Sequence, residues 1–231
     1  MINNTIEFTV YGKYALFSEP VTRTGGEKNT YSVPTYEAIK GIVKSVYWKP
    51  TIVWIVDQIR VMNKIKSVHK SVKPVDWTKS VNQLSIYSYL TDVEYQVRAH
   101  FEWNLRRNEY TQDRNVAKHR DMANRWIEHG GRRDIFLGCR ECQGYVTPSV
   151  FGSERGEYDN SGNIDFGIMF NGFDYPDEFT GAKYLRERYS KIRMIDGIIT
   201  FDNPKSFCEE SNTKDKFVVV TNKQIKPKIF I

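Results

Sequence analysis

The stretch QDRNVAKHRDMANRWIEHGGRRDIFL, residues 112–137, decides how this chain is read. Asp113 is suited to cap the free amides at a helix start, and Gly130 suits a left-handed stop. Between them Val116, His119, Ala123 and Trp126 fall on one side of a helix. The spacing predicts a helix from Gln112 or Asp113 to His129, and Ile135 to Leu137 then reads as a short strand.

Upstream, Val93, Tyr95, Val97, Ala99, Phe101 and Trp103 alternate with mostly polar residues, the period of a half-buried strand. Ile52 to Val61 is rich in β-branched residues and reads as another strand. Before it, Pro34 and Thr35 open a helix whose Ala38, Ile39, Ile42, Val43 and Val46 recur at three-to-four spacing. Tyr47 closes that apolar face and Pro50 stops the helix. Ile6, Phe8 and Val10 mark a first strand from Thr5 to Tyr11, and a long loop with Pro20, Gly25 and Gly26 follows. Lys64 to Leu90 reads as a polar, basic connection containing short strands.

The order β-α-β-β-α-β is that of a ferredoxin-like (RRM-type) unit. After Gly138 the texture changes to glycine-punctuated runs, Ile164 to Phe173, Ile192 to Phe201 and Lys216 to Val220, with a hint of helical period at Lys183 to Tyr189. The expected class is therefore α+β. Residues 1–139 form the ferredoxin-like domain, and 140–231 form a small antiparallel β-sheet domain.

The chain has 231 residues and a net charge of +6. At 40% apolar and 27% charged residues it reads as a globular protein able to bury a core. No uncharged stretch reaches the ~18 apolar residues of a membrane helix. Met1-Ile2-Asn3-Asn4-Thr5 has neither the basic nor the apolar region of a signal peptide. Three cysteines, Cys139, Cys142 and Cys208, are too few for a disulfide scaffold. A cytoplasmic protein without membrane contact is expected. Residues 60–141 carry sixteen basic and ten acidic side chains, so the whole excess lies there. A focused basic region attracts polyanions, and nearby aromatics can stack on unpaired bases.

Within it, Lys118 and His119 are adjacent on the second helix, about 100° apart, so they cannot point the same way yet can border one groove. Histidine is the side chain best poised to pass protons near neutral pH, and lysine can stabilise a crowded anionic phosphorane. A lone Lys-His pair on a helix is ordinarily only a solvated face. Cys139 and Cys142 make a single C-x-x-C without the further ligands of a structural zinc site. His129 beside Gly130 reads as a favourable helix-end charge, and His69 and His100 as structural or surface residues.

Four ordered blocks carry more information than any single pair. They are Gly12-Lys13-Tyr14-Ala15-Leu16-Phe17-Ser18-Glu19-Pro20, Ile42-Val43-Lys44-Ser45-Val46-Tyr47-Trp48-Lys49-Pro50, Asp113 to His119, and Leu137-Gly138-Cys139-Arg140-Glu141-Cys142. Together they resemble the CRISPR-associated family-five proteins of the type I-C (Dvulg) subtype. The resemblance spans roughly residues 5–142. It departs from the family pattern around Asp134-Ile135-Phe136 and beyond residue 142.

That resemblance implies a repeat endoribonuclease of precursor CRISPR RNA. It also implies that the protein stays on the 5′ handle of the mature CRISPR RNA, as a subunit of the type I-C interference complex. The family's catalytic tyrosine falls on Tyr47, and its lysine and histidine fall on Lys118 and His119. RNA supplies its own 2′-hydroxyl nucleophile, so cutting needs no metal or other cofactor when a base, an acid and a cation converge. The expected products are a 2′,3′-cyclic phosphate and a 5′-hydroxyl. The residues alone do not divide acid and base roles between Tyr47 and His119. Arg23, Lys28, Arg106, Arg107 and Arg114 are candidate phosphate contacts to a repeat hairpin read mainly by shape. The alternative is a subunit that binds RNA without cutting it.

Overall fold

The structure is a computed structural model that describes residues 4–22, 26–73, 84–175, 184–209 and 216–224. Its longest element is β4 (Ser85–Trp103), which organises the rest. β1 (Thr5–Ala15) pairs antiparallel along β4 from Thr5↔His100 to Ala15↔Leu90. On the opposite edge, β2 (Ile52–Val61) pairs from Ile52↔Trp103 to Val61↔Tyr95, with a bulge between Val56 and Gln58. β3 (Ser67–Val72) continues along that edge against Ser85 to Leu90. Within the connection expected between Lys64 and Leu90, Ser67–Val72 and Ser85–Leu90 pair as strands, and β4 begins eight residues before the predicted Val93. The alternation read in Val93 to Phe101 is real: Val93, Tyr95, Val97, Ala99 and Phe101 are all buried.

The first helix, α1 (Tyr36–Val46), is capped by the Thr35 hydroxyl, which accepts from the Ala38 N–H at 3.2 Å. Ile39, Ile42, Val43 and Val46 are buried as the spacing requires, packing on β2. The second, α2 (Val116–Glu128), starts later than expected. A 3-10 helix at Asn108–Asp113 precedes it, and the cap is Asn115, whose Oδ1 accepts from the Lys118 N–H at 3.1 Å. Asp113 does not cap because its carboxylate is taken by Thr51 and Lys118. At the other end Gly130 adopts φ +79, the left-handed stop expected of it.

β5 (Ile135–Phe136) has only two residues. It pairs with β6 (Gln143–Pro148), and β6, not β5, lies against β1, from Phe8↔Pro148 to Tyr11↔Tyr145. A two-residue strand offers too few backbone groups to satisfy the edge of β1, and the longer β6 does so. Leu137 still joins the arrangement, since its carbonyl accepts from the Leu16 N–H at 3.0 Å. Gly138 is needed beside it: φ is +92, and a Cβ there would stand 2.0 Å from the Leu16 carbonyl oxygen.

The remaining strands are β7 (Asn163–Asp174), β8 (Tyr184–Ile195), β9 (Ile198–Thr200) and β10 (Lys216–Gln224), with a short α3 (Ser206–Glu209). The helical hint at Lys183 to Tyr189 is corrected. From Tyr184 onward this segment is β8, hydrogen-bonded to β7 on one side and β10 on the other. β9 pairs with β2, so the C-terminal strands extend the same sheet. Among the described residues the path is β10-β8-β9-β2-β4-β1-β6-β5, with β3 on β4 and β7 on β8. The result is a mixed α/β protein built on an antiparallel sheet. No helix among the described residues is long and apolar enough to cross a membrane.

Candidate active site

Tyr47 is the residue at which α1 ends. Its backbone turns extended (φ −155, ψ 130), its N–H still donates to the Val43 carbonyl, and its own carbonyl accepts the Trp54 indole N–H at 2.7 Å. The strand following the helix therefore holds the tyrosine in place. Its hydroxyl lies 2.8 Å from Nδ1 of His119 on the first turn of α2. Both side chains are buried, at 1% and 0% exposure. Phe101 and Trp103 of β4 close around the imidazole, with ring centroids at 6.0 and 5.7 Å.

The hydrogen-bond network assigns the tautomer. Nε2 of His119 is 2.8 Å from the Asp113 carbonyl, which can only accept, so Nε2 carries a proton. In the uncharged ring Nδ1 is then the acceptor, and the Tyr47 hydroxyl donates to it. Burial, reinforced by the Asp113 charge and opposed by Arg132, pushes the Tyr47 phenol up to about 12. Near neutral pH this phenol keeps its proton.

Lys118 points away from the imidazole, as the 100° step of the helix demands, and stands half exposed. Its ammonium meets the Asp113 carboxylate, whose other oxygen accepts from the Thr51 hydroxyl at 2.8 Å. These two bonds, Lys118 first and Thr51 second, hold the Asp113 carboxyl below its usual range. Asp113 thus touches both α2 residues of the centre, with its carbonyl on His119 and its carboxylate on Lys118.

At the end of α1 runs a groove of about 510 Å³ lined by Lys44, Trp48, Arg107, Arg132, Arg133 and Tyr175 among others. The Arg132 and Arg133 amides donate to the Val46 and Ser45 carbonyls, both at 3.1 Å, so the main chain pins these arginines to the end of α1. A second hollow of about 530 Å³ on the other side of the Asn104 turn includes Trp103, Leu105, Arg106 and Val116, and both share Val53 and Asn104.

The structure thus brings Tyr47, Lys118 and His119 together and sets Arg106, Arg107 and Arg114 nearby. Arg114 is partly engaged, with Nη2 donating to the Asn104 carbonyl at 3.2 Å. Lys28 lies elsewhere, over the Tyr87 ring at the far end of β4. Arg23 lies outside the described residues. Asp113, Lys44, Trp48, Arg132 and Arg133 were not marked as site residues by sequence reasoning. The signal available was the Arg-Arg pair directly after the Gly130-Gly131 helix stop.

His69 bonds Ser88, His100 pairs with Asp57 across β4 and β2, and His129 bonds the Arg125 carbonyl, all structural settings. Among the described residues no cluster of three or more His, Cys, Asp or Glu side chains could hold a metal ion.

Residues 5–202 match the family model described as CRISPR-associated protein (Cas_Cas5). The CRISPR pre-crRNA endoribonuclease Cas5d of Mannheimia succiniciproducens is 36% identical over 63 residues, a segment that covers only 27% of either chain. The protein of the same name from Thermus thermophilus is 27% identical over 176 residues, 71% of each chain. A solved structure, "Crystal Structure of CRISPR-associated Protein", superposes with a TM-score of 0.70 at 36% identity, covering 90% of this chain and 96% of that one. The blocks around Tyr47, Lys118 and His119 lie within the matched span, and the chain belongs to the Cas5d family of CRISPR-associated proteins.

Proposed function

We propose that this chain is an endoribonuclease of precursor CRISPR RNA. In this reading it cuts the repeat by 2′-hydroxyl attack, without a metal, and leaves a 2′,3′-cyclic phosphate and a 5′-hydroxyl. The observation that carries the proposal is the 2.8 Å bond between Tyr47 and His119, 72 residues apart in sequence, with Lys118 on the adjacent outer face. Tyr47 takes the proton from the 2′-hydroxyl as its own passes to Nδ1 of His119, and as the P–O5′ bond breaks the departing 5′-oxygen takes a proton from solvent. The Asp113 carbonyl on Nε2, with its carboxylate 3.5 Å away, favours the imidazolium so formed. The Lys118 ammonium exchanges Asp113 for the phosphorane and stabilises its charge. Met122, whose sulfur lies 3.7 Å from the Tyr47 hydroxyl, is the adaptable side chain that moves to admit RNA.

Arg106, Arg107 and Arg114 serve as phosphate contacts here, joined by Lys44, Arg132 and Arg133. Lys28 then contacts RNA remote from the cut, and Arg23, outside the described residues, is a further phosphate contact in this reading. β1, α1, β2, β4, α2 and β5 form a ferredoxin-like catalytic domain over residues 1–139, with β6 of the second domain paired along its edge. Residues 140–231 form the second, sheet domain. After cutting, the protein stays on the 5′ handle in the cytoplasm as a subunit of the type I-C interference complex.

A second reading has its own observation. The burial of Tyr47 and His119 suits a polar pair that only locks α1 to α2 in a non-catalytic RNA-binding subunit. Incubating cognate repeat RNA with the purified protein in EDTA separates the two. Cutting with cyclic-phosphate ends, lost in His119→Gln with binding retained, supports the enzyme. RNA that is bound but intact supports the structural subunit.

A further inference from the structure

We propose that Cys139 and Cys142 form a reversible dithiol–disulfide site that reacts with small disulfides of the glutathione class. The two residues sit in the turn between β5 and β6, away from the residues assigned to RNA cutting. The Cys142 N–H donates to the Cys139 carbonyl at 3.0 Å, and the Leu137 N–H donates to the Cys142 carbonyl at 2.8 Å. This closed turn brings the sulfurs to 3.4 Å. A disulfide needs about 2.0 Å, which side-chain rotation can supply within an intact turn.

The pair is asymmetric in the way such chemistry requires. Cys139 is only half buried and can be reached, whereas Cys142 is 1% exposed. The hydrogen bond between the two sulfurs holds the Cys139 thiol below its usual range, with burial and Glu141 opposing. The same bond, then burial, pushes Cys142 up. Thiolate attack depends on this kind of access and charge stabilisation. Glu141, 3.4 Å from the Cys139 sulfur, repels anionic reagents and slows the first step.

The reaction balances with glutathione disulfide as oxidant. The Cys139 thiolate attacks one glutathione sulfur, the S–S bond breaks, and the first glutathione leaves as a thiolate. Cys142, losing its proton, attacks the Cys139 sulfur of the mixed disulfide and expels the second glutathione. Two protein thiols are oxidised, one glutathione disulfide is reduced, and both protons end on the released thiols. Excess reduced glutathione reverses the sequence. A thiol reachable from solvent is thereby cleared of adducts by its buried neighbour.

The test equilibrates the full chain with oxidised and reduced glutathione at graded ratios, followed by acid quenching, alkylation and peptide mass analysis. The expected result is a 139–142 peptide lighter by two hydrogens and unalkylated under oxidising ratios, recovering both alkylations under reducing ones. Cys142→Ser should accumulate the mixed glutathione disulfide on Cys139, and Cys139→Ser should leave Cys142 unreacted in the folded protein. Two alkylated thiols at every ratio would overturn the proposal. So would a Cys142→Ser protein that gains no adduct, or equal reactivity of both single variants. Far-ultraviolet circular dichroism of each variant checks that it is folded. Peptide-level reading keeps Cys208 out of the result.

Discussion

The Tyr47 hydroxyl donates to Nδ1 of His119 across 2.8 Å, and Nε2 of the same ring is anchored at 2.8 Å on the Asp113 carbonyl. Both imidazole nitrogens are thus committed inside the protein. Any proton that His119 exchanges with a substrate has to pass through Tyr47.

Tyr47→Phe tests that dependence. Removing the hydroxyl leaves Nδ1 buried without a donor, which costs about 1–3 kcal/mol of stability. Repeat-RNA cutting should fall on the order of 10²–10⁴-fold in single-turnover assays, with RNA affinity unchanged. Urea denaturation measures the first effect and the cleavage rate the second. A loss of stability without any activity to lose would indicate the locking role.

Lys118→Ala should behave differently. Its ion pair with Asp113 is half exposed, so its removal costs at most about 1 kcal/mol. Cutting should nevertheless collapse while the fold persists. Asp113 adds a pH signature. Its folded-state carboxyl titrates below the ordinary 3.8, so the unfolded chain binds the proton first. The stability it contributes is complete above about pH 4 and is lost as pH falls through the folded value. Asp113→Asn should lose stability near neutral pH and show a flatter acid limb, checked by denaturant titrations across that range.

Arg132→Ala and Arg133→Ala should weaken repeat-RNA binding without unfolding the protein, because backbone amides hold this turn to α1. Each should reduce the slope of log affinity against log salt by about 0.7–1. Trp48, 42% exposed in the same groove, should contribute about 1–3 kcal/mol through base stacking if Trp48→Ala is compared at fixed salt. Filter binding at several ionic strengths measures both.

The β7–β8 hairpin carries a different liability. Asp174 and Arg188 form a buried ion pair, their side chains 3% and 2% exposed, and Arg188 also donates to the Phe173 carbonyl at 3.2 Å. Asp174→Asn leaves the guanidinium buried without its counter-ion and should destabilise by about 3–5 kcal/mol. Thermal or urea denaturation reads this directly, and RNA cutting by the fraction still folded should be unaffected.

Much of this molecule was legible in its residues. Thr35 as a cap, Gly130 as a stop, the buried face of α1 and the alternation from Val93 to Phe101 are local properties. They depend on backbone preference and on a period of 3.6 or 2, both of which a short window of sequence contains. The same helical period places His119 inward and Lys118 outward before any partner is known. The match of Tyr47, Lys118 and His119 to family motifs added residues that periodicity alone would have left as an apolar rim and a charged face.

Tertiary structure decided what those residues meet. Asp113 looked like a cap until Thr51 and Lys118, from outside the reach of a capping pattern, claimed its carboxylate. β6 displaced β5 from the edge of β1 because six residues can satisfy more backbone groups than two. Tyr184 to Tyr189 became a strand because β7 and β10 offered hydrogen bonds on both sides. Arg132 and Arg133 reached the groove through amide bonds to the end of α1. Sequence determined each residue's chemical type and, where the pattern was strong, its local geometry. The choice of partner waited on the fold, because hydrogen bonds and ion pairs depend on distances set by segments far apart along the chain.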